Sequence, residues 1–162
     1  MNYTIKNEIK NQLVVSIAAG IKISSMENII GKKRIIRVMP NVNCLVGEMA
    51  AVFAAGKYAT KHDIEEVSRL LNASGMAFLV EEDKIDAPSI IIGSGPAIFA
   101  YFIKSIAEAA MKKGLKKETA YQLASQISLG TGKLLLEMRL TPDELIGMVA
   151  SKKGFTVEAL KV

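Results

Sequence analysis

One segment, Ile85 to Leu115 (IDAPSIIIGSGPAIFAYFIKSIAEAAMKKGL), limits what this chain can fold into more than any other. Its apolar residues Ile90, Ile91, Ile92, Ile98, Phe99, Tyr101, Phe102, Ile103 and Ile106 cover far more than one stripe of a helix, so a single packed face does not bury them. Leaving Ile91, Ile98, Phe99 and Phe102 in water would forgo roughly 6–12 kcal/mol. That matches the whole stability of an ordinary domain, about 5–15 kcal/mol. An obligate dimer that interlocks these helices is the simplest solution, and Gly130 and Gly132 farther along would let helix backbones approach closely. The Gly93-Ser94-Gly95-Pro96 run is expected to break the helix. The longest stretch without charge, Ala87 to Ile103, is shorter than the roughly 20 residues a membrane span needs, which argues against one.

The rest of the chain divides at Asp86. Before it, strands and helices alternate; after it, the pattern is helical throughout. Strands are expected over Leu13–Ile17 and Arg34–Met39, short apolar, β-branched runs that close at Gly20 and stop at Pro40, and over Ala50–Ala54 and Met76–Val80. Ser24 and Glu27 have the spacing of a capping box for a short helix ending at Gly31, and Thr60 with Asp63 have it for a helix to about Ala73 that Gly75 stops. Asp86 is read as the N-cap of the apolar helix, which ends at Lys113-Gly114. A second helix is expected over Lys117–Met138, a third opens at Thr141-Pro142-Asp143-Glu144, and a last one begins at Phe155.

Composition removes several function classes. Half of the 162 residues are apolar, enough for a real core, and 21 basic against 16 acidic side chains leave a net charge of +5. The lysine clusters at 32–34, 112–117 and 152–153 have no interleaved aromatics and read as solvated helix ends, not as a nucleic-acid surface. The single cysteine, Cys44, rules out an internal disulfide framework and suits a reducing cytoplasm. The polar start, MNYTIKNEIKNQ, is neither a signal peptide nor a membrane anchor. One His and one Cys do not make a metal site; His62 is expected to be solvated. Gly130-Thr131-Gly132-Lys133 lacks the leading glycine of a phosphate loop, and no G-x-G-x-x-G occurs anywhere.

Six segments in order carry a resemblance: Val15-Ser16-Ile17-Ala18-Ala19-Gly20, Arg37-Val38-Met39-Pro40-Asn41, Val80-Glu81-Glu82-Asp83, Gly93-Ser94-Gly95-Pro96-Ala97, Gly130 to Leu136, and Glu144-Leu145 to Ser151. Together they resemble pyrroline-5-carboxylate reductase over essentially the whole chain. The resemblance implies a mixed α+β fold: residues 1–85 as the C-terminal remnant of a Rossmann-type α/β domain, and residues 86–162 as an all-helical dimerisation and substrate domain. It implies an NADPH- or NADH-dependent oxidoreductase that reduces the ring imine of a small-molecule substrate, 1-pyrroline-5-carboxylate, to L-proline. Such an enzyme is a cytoplasmic homodimer that often forms rings of dimers. On this resemblance the sequence starts inside the first domain, without the glycine-rich nucleotide turn, and stops inside its last helix, as a fragment, a split-gene product or a degenerate copy would.

The resemblance also implies a site. Ala19 is the small residue that admits the nicotinamide, Pro40 and Asn41 shape the turn beneath it, and Met148 lines the cofactor pocket. Glu82 lies near the substrate ring nitrogen. Ser151, Gly154, Phe155 and Thr156 belong to a turn whose free backbone N–H groups hold the substrate carboxylate, and the catalytic Thr156 hydroxyl reaches the imine nitrogen. The family turn reads roughly S-P-G-G-T-T, whereas this chain reads Ser151-Lys152-Lys153-Gly154-Phe155-Thr156. Ile92 and Ile98 also replace a serine and a tyrosine of the pattern. These departures keep a second reading open, a non-catalytic dimerisation remnant or regulatory relative.

Overall fold

The structure, a computed structural model, describes residues 8–150. The chain forms two compact units, the first ending at Phe99 and the second beginning at Ala100. The element order is β1 (Val14–Ser16), α1 (Ile23–Ile30), β2 (Ile35–Met39), β3 (Met49–Ala55), α2 (Lys61–Asn72), β4 (Gly75–Leu79), α3 (Asp86–Met111), α4 (Lys117–Glu137) and α5 (Pro142–Val149), with 3-10 turns at Val42–Val46 and Glu82–Lys84. The helical half starts at Asp86, yet the division between compact units lies inside α3, because Ile92 packs into the core of the first unit.

In the first unit the sheet order is β1-β2-β3-β4. β1 runs parallel to β2 with Val14 opposite Ile35, β2 antiparallel to β3 with Val38 opposite Phe53, and β3 parallel to β4 with Val52 opposite Phe78. The sheet is therefore mixed, with α1 and α2 as the crossovers that parallel neighbours require. Side chains alternate along a strand. One face of the sheet packs Ile35, Val52 and Ala54 against Ile23 and Ile30 of α1 and against Ile85 and Ile92. The other packs Ile36, Val38 and Phe53 against Val67 of α2. Burial on both faces explains the unbroken apolar run of β3 and the run of β2, which only Arg37 interrupts. The edge strands β1 and β4 flank them, and Phe78 and Leu79 of β4 stay exposed.

The capping box of α2 forms as expected. Thr60 Oγ1 accepts from the Asp63 N–H at 3.2 Å, while Asp63 Oδ2 accepts from the Thr60 N–H at 2.8 Å and from its hydroxyl at 2.7 Å. Arg34 Nη1 adds an ion pair to Asp63 Oδ1 at 2.7 Å, and Arg34 Nη2 donates to the Asn11 carbonyl. The capping box expected at Ser24 and Glu27 does not form. α1 begins at Ile23, its N-cap Lys22 offers no side-chain bond, and the Ile23 N–H is taken instead by Glu82 Oε1 at 2.5 Å. A carboxylate from a distant segment has replaced the local cap.

Two further expectations change. Asp86 is the first residue of α3 and does not cap it from outside. The Gly93-Ser94-Gly95-Pro96 run does not interrupt α3, which continues through Pro96 to Met111. Proline removes one backbone donor, a loss that a long helix absorbs. Because the helix runs unbroken beyond both ends of the charge-free stretch, it has the length and mean hydropathy, 1.6, of a helix able to cross a bilayer. Along it Ile90, Ile91, Ile98, Phe99, Tyr101 and Phe102 are all exposed.

The second unit is helical. Ala107 of α3 packs on Ala120 and Ala124 of α4, with Ile103, Met111 and Tyr121 around them, so alanines let the two helices lie close. α3 ends in a Schellman motif, with Leu115 N–H bonded to the Ala110 carbonyl and Gly114 N–H to that of Met111. α5 starts at Pro142 with a second capping box: Glu144 Oε2 accepts from the Thr141 N–H at 2.7 Å, and Thr141 Oγ1 accepts from the Glu144 N–H at 3.3 Å. Those bonds hold the Glu144 carboxyl below its usual pKa.

Two predictions follow from the first unit. Hydrogen bonds from Thr60, and then the Arg34 cation, hold the Asp63 pKa below its ordinary value against the opposing effect of burial. Its contribution to stability is thus complete above the unfolded carboxylate pKa, about 3.9, and is lost as pH falls through the lower folded value. Asp63→Asn should cost roughly 1–2 kcal/mol in urea unfolding at pH 7, and the gap to the unsubstituted chain should close on acidification below about pH 4; a gap constant down to pH 2 would contradict this. Gly75 opens β4 with φ +147°, and a Cβ there would lie 2.2 Å from the Met49 carbonyl oxygen. Gly75→Ala should destabilise by about 3 kcal/mol or more, read from the same unfolding curve.

Candidate functional site

β1 and β2 are parallel, so both leave the sheet at the same edge. That topology brings together the segments carrying Ala19 and Pro40-Asn41. After β1 the chain turns through Ala18–Ile21, with the Ile21 N–H 3.5 Å from the Ala18 carbonyl and the Ala18 N–H on Ser16 Oγ at 3.3 Å. Ala19 is exposed in this turn, and Gly20 follows at φ +72°, a left-handed conformation open to glycine at little cost. After β2, Pro40 and Asn41 are half-buried. Asn41 Oδ1 accepts from the Ala50 N–H at 3.2 Å, which ties the exit of β2 to the start of β3 across the Val42–Val46 turn.

Glu82 lies in the 3-10 turn that precedes α3, packed against the sheet face that also receives α1. Its Oε1 holds the Ile23 N–H and lies 3.6 Å from Arg37 Nη1, while Arg37 Nη2 lies 3.5 Å from Asp86 Oδ1. Arg37 is only 5 % exposed, flanked along β2 by the apolar Ile35 and Met39 of the same face. A buried cation must be paired, because its desolvation otherwise costs several kcal/mol. Arg37 was not weighed as a site residue from the sequence. The signal was there: an arginine inside the apolar run Ile35-Ile36-Arg37-Val38-Met39, and acids at 82 and 86.

The remaining expected residues are scattered. Met148 is exposed on α5 in the second unit. Ser151, Gly154, Phe155 and Thr156 lie outside the described residues, as do Lys152 and Lys153. His62 is exposed on α2, with Nε2 3.6 Å from Glu66 Oε1, and Cys44 is exposed in the Val42–Val46 turn. Among the described residues, nothing lies within 4 Å of a Cβ placed at Gly130 or Gly132.

Comparison with known proteins shows the family. The pyrroline-5-carboxylate reductase dimerisation model matches residues 82–162. The pyrroline-5-carboxylate reductase of Methanosarcina acetivorans is 39% identical over 158 residues, covering 96% of this chain and 58% of the relative. Pyrroline-5-carboxylate reductase 2 of Bacillus subtilis is 38% identical over 159 residues, covering 98% and 57%. Among solved structures, the Plasmodium falciparum pyrroline carboxylate reductase with NADP bound superposes with TM-score 0.88 at 30% identity, covering 96% of this chain and 63% of that one. The Coxiella burnetii pyrroline-5-carboxylate reductase superposes with TM-score 0.89 at 32% identity, covering 97% and 60%. The chain thus spans less than two thirds of the length of these proteins. With half the sequence matched by the dimerisation model, and a mixed sheet followed by helices that superposes on solved reductases, the chain belongs to the pyrroline-5-carboxylate reductase family.

Proposed function

We propose that the chain acts in the NAD(P)H-dependent reduction of 1-pyrroline-5-carboxylate to L-proline, supplying the nicotinamide end of the cofactor site and the substrate-binding segment. The observation that carries this reading is the convergence of the Ala19 and Pro40-Asn41 turns at one sheet edge, in a chain of this family. That edge suits a flat ring: Ala19 ends at its Cβ, nothing lies within 4 Å of a Cβ placed at Gly20, and Asn41 is drawn back onto the Ala50 amide. The cofactor set is Ala19, Pro40, Asn41 and Met148, and either NADPH or NADH fits it. When bound, the nicotinamide supplies a hydride to the imine carbon.

The chain's own part is to bind and orient. Backbone N–H groups of the Ser151–Thr156 segment, with Ser151, Gly154 and Phe155, hold the substrate carboxylate, and the Thr156 hydroxyl donates to the imine nitrogen, favouring its protonation as the carbon is reduced. Holding the carbon in line with the donor is the larger gain. Lys152, Lys153 and Phe155 in that segment favour the second reading, a non-catalytic dimerisation module.

The exposed face of α3 is read as the seam between two copies of the chain, with further assembly into rings of dimers. The match of residues 82–162 to a dimerisation family supports a protein partner over a lipid one. On this reading the protein works in the cytoplasm, in keeping with its single free cysteine.

Loss of NADPH absorbance should depend on added pyrroline-5-carboxylate, measured for the chain alone and with a polypeptide supplying a nucleotide-binding half. Thr156→Val should lower turnover about 10²–10⁴-fold without changing KM for NADPH. No activity in either arm would leave the dimerisation module as the function. Sedimentation at micromolar concentration without detergent should give a dimer, and Ile98→Glu with Phe102→Glu should give a monomer; a well-folded monomer of the unsubstituted chain would sink the seam.

A further inference from the structure

Among the described residues, Glu82 is the acceptor for the first N–H of α1, and Lys22 contributes no side-chain cap. The bond spans 59 residues of sequence. α1 begins at Ile23, two residues after the end of the Ala18–Ile21 turn, so whatever holds Ile23 also holds the downstream end of that turn. The carboxylate is itself held. Arg37 Nη1 lies 3.6 Å from the same Oε1, and Arg37 is pinned in β2, three residues before Pro40. The chain of contacts therefore runs from the turn after β1, through Ile23 and Glu82, to Arg37 and the exit of β2. These are the two turns that converge at the sheet edge.

We infer that Glu82 and Arg37 are positioning residues that fix the Ala18–Ile21 turn relative to the Pro40-Asn41 turn, and so shape the seat of the nicotinamide ring. This rests on the reading of that edge as the cofactor site, and it gives Glu82 a part beneath the cofactor rather than at the substrate ring. Charge is essential to the device. A carboxylate accepts the helix N–H more strongly than a neutral oxygen, the positive end of the helix dipole favours it, and Arg37 would be left buried beside fewer acceptors without it. Asp86 shares Arg37 at 3.5 Å but is not bonded to α1, and its side chain is 76% exposed, so it serves as the built-in control.

The test combines amide hydrogen exchange of the whole chain with an NADPH titration at millimolar concentration, followed on the Ala19 and Gly20 amide resonances. Glu82→Ala should speed exchange at the Ile23 amide at least tenfold while the β2 amides keep their protection, and should weaken the NADPH response at least fivefold. Glu82→Gln, which keeps an acceptor oxygen but not the charge, should recover part of both, and Asp86→Asn should leave both within twofold. Arg37→Lys should resemble Glu82→Gln. Unchanged Ile23 exchange in Glu82→Ala overturns the clamp. Fast Ile23 exchange with an unaltered NADPH response overturns the positioning role. An unsubstituted chain whose Ala19 and Gly20 resonances ignore NADPH overturns the cofactor reading and the positioning role with it, while the exchange data still decide whether Glu82 holds α1.

Discussion

The partial burial of α3 governs most of this chain, because the helix gives core residues to both compact units. Ile85 just before it and Ile92 within it are buried in the first unit against Ile35, Val52 and Ala54. Ala107 near its other end is buried against Ala120 and Ala124 of α4. Between these anchors the side chains from Ile90 to Phe102 include six large apolar groups left in water. A solvated apolar surface of that size is unfavourable by an amount comparable to a domain's net stability. Among the described residues nothing covers that surface, and the segment that carries it falls within residues 82–162, which match a dimerisation family.

A second constraint sits inside the sheet. Placing Arg37 on a face otherwise made of isoleucine and valine trades apolar burial for a charge that needs acceptors, and such pairs rarely add net stability. What the pair gives is direction: Glu82 meets both Arg37 and the Ile23 N–H, so the segment leading into α3 is tied to the start of α1 and to β2 at one point. The neighbouring Asn41–Ala50 bond does the same for the other exit turn. Both turns that the family resemblance assigns to the cofactor thus have, beside any local bonds, a side-chain-to-backbone bond that ties them or their flank to a segment farther along the chain.

Much of this was legible beforehand where the signal is local. The Thr60–Asp63 and Thr141–Glu144 boxes formed because spacing alone brings a hydroxyl and a carboxylate within reach of free helix amides. Ser24 and Glu27 had the same spacing and failed, because α1 already starts at Ile23, one residue before Ser24, where the N–H bonds to Glu82 from 59 residues away, and this puts Ser24 inside the helix. The glycine-proline run in α3 was read as a break and proved helical, since one missing donor in a 26-residue helix is outweighed by packing at both ends. Gly75 looked like a helix stop; its tighter requirement, the approach of β4 to Met49, depends on strand pairing that no local pattern reveals.

By itself, then, the sequence determined the elements, the caps that rely on neighbours in the chain, the apolar excess of α3 and the family, because each depends on residue types at fixed short spacings. Tertiary structure alone decided that the sheet is mixed, that Ala19 and Pro40-Asn41 leave it at one edge, and that Arg37 is buried between Glu82 and Asp86. Those outcomes depend on which distant segments share a sheet face, and a one-dimensional pattern carries no information about such pairings until packing selects among them.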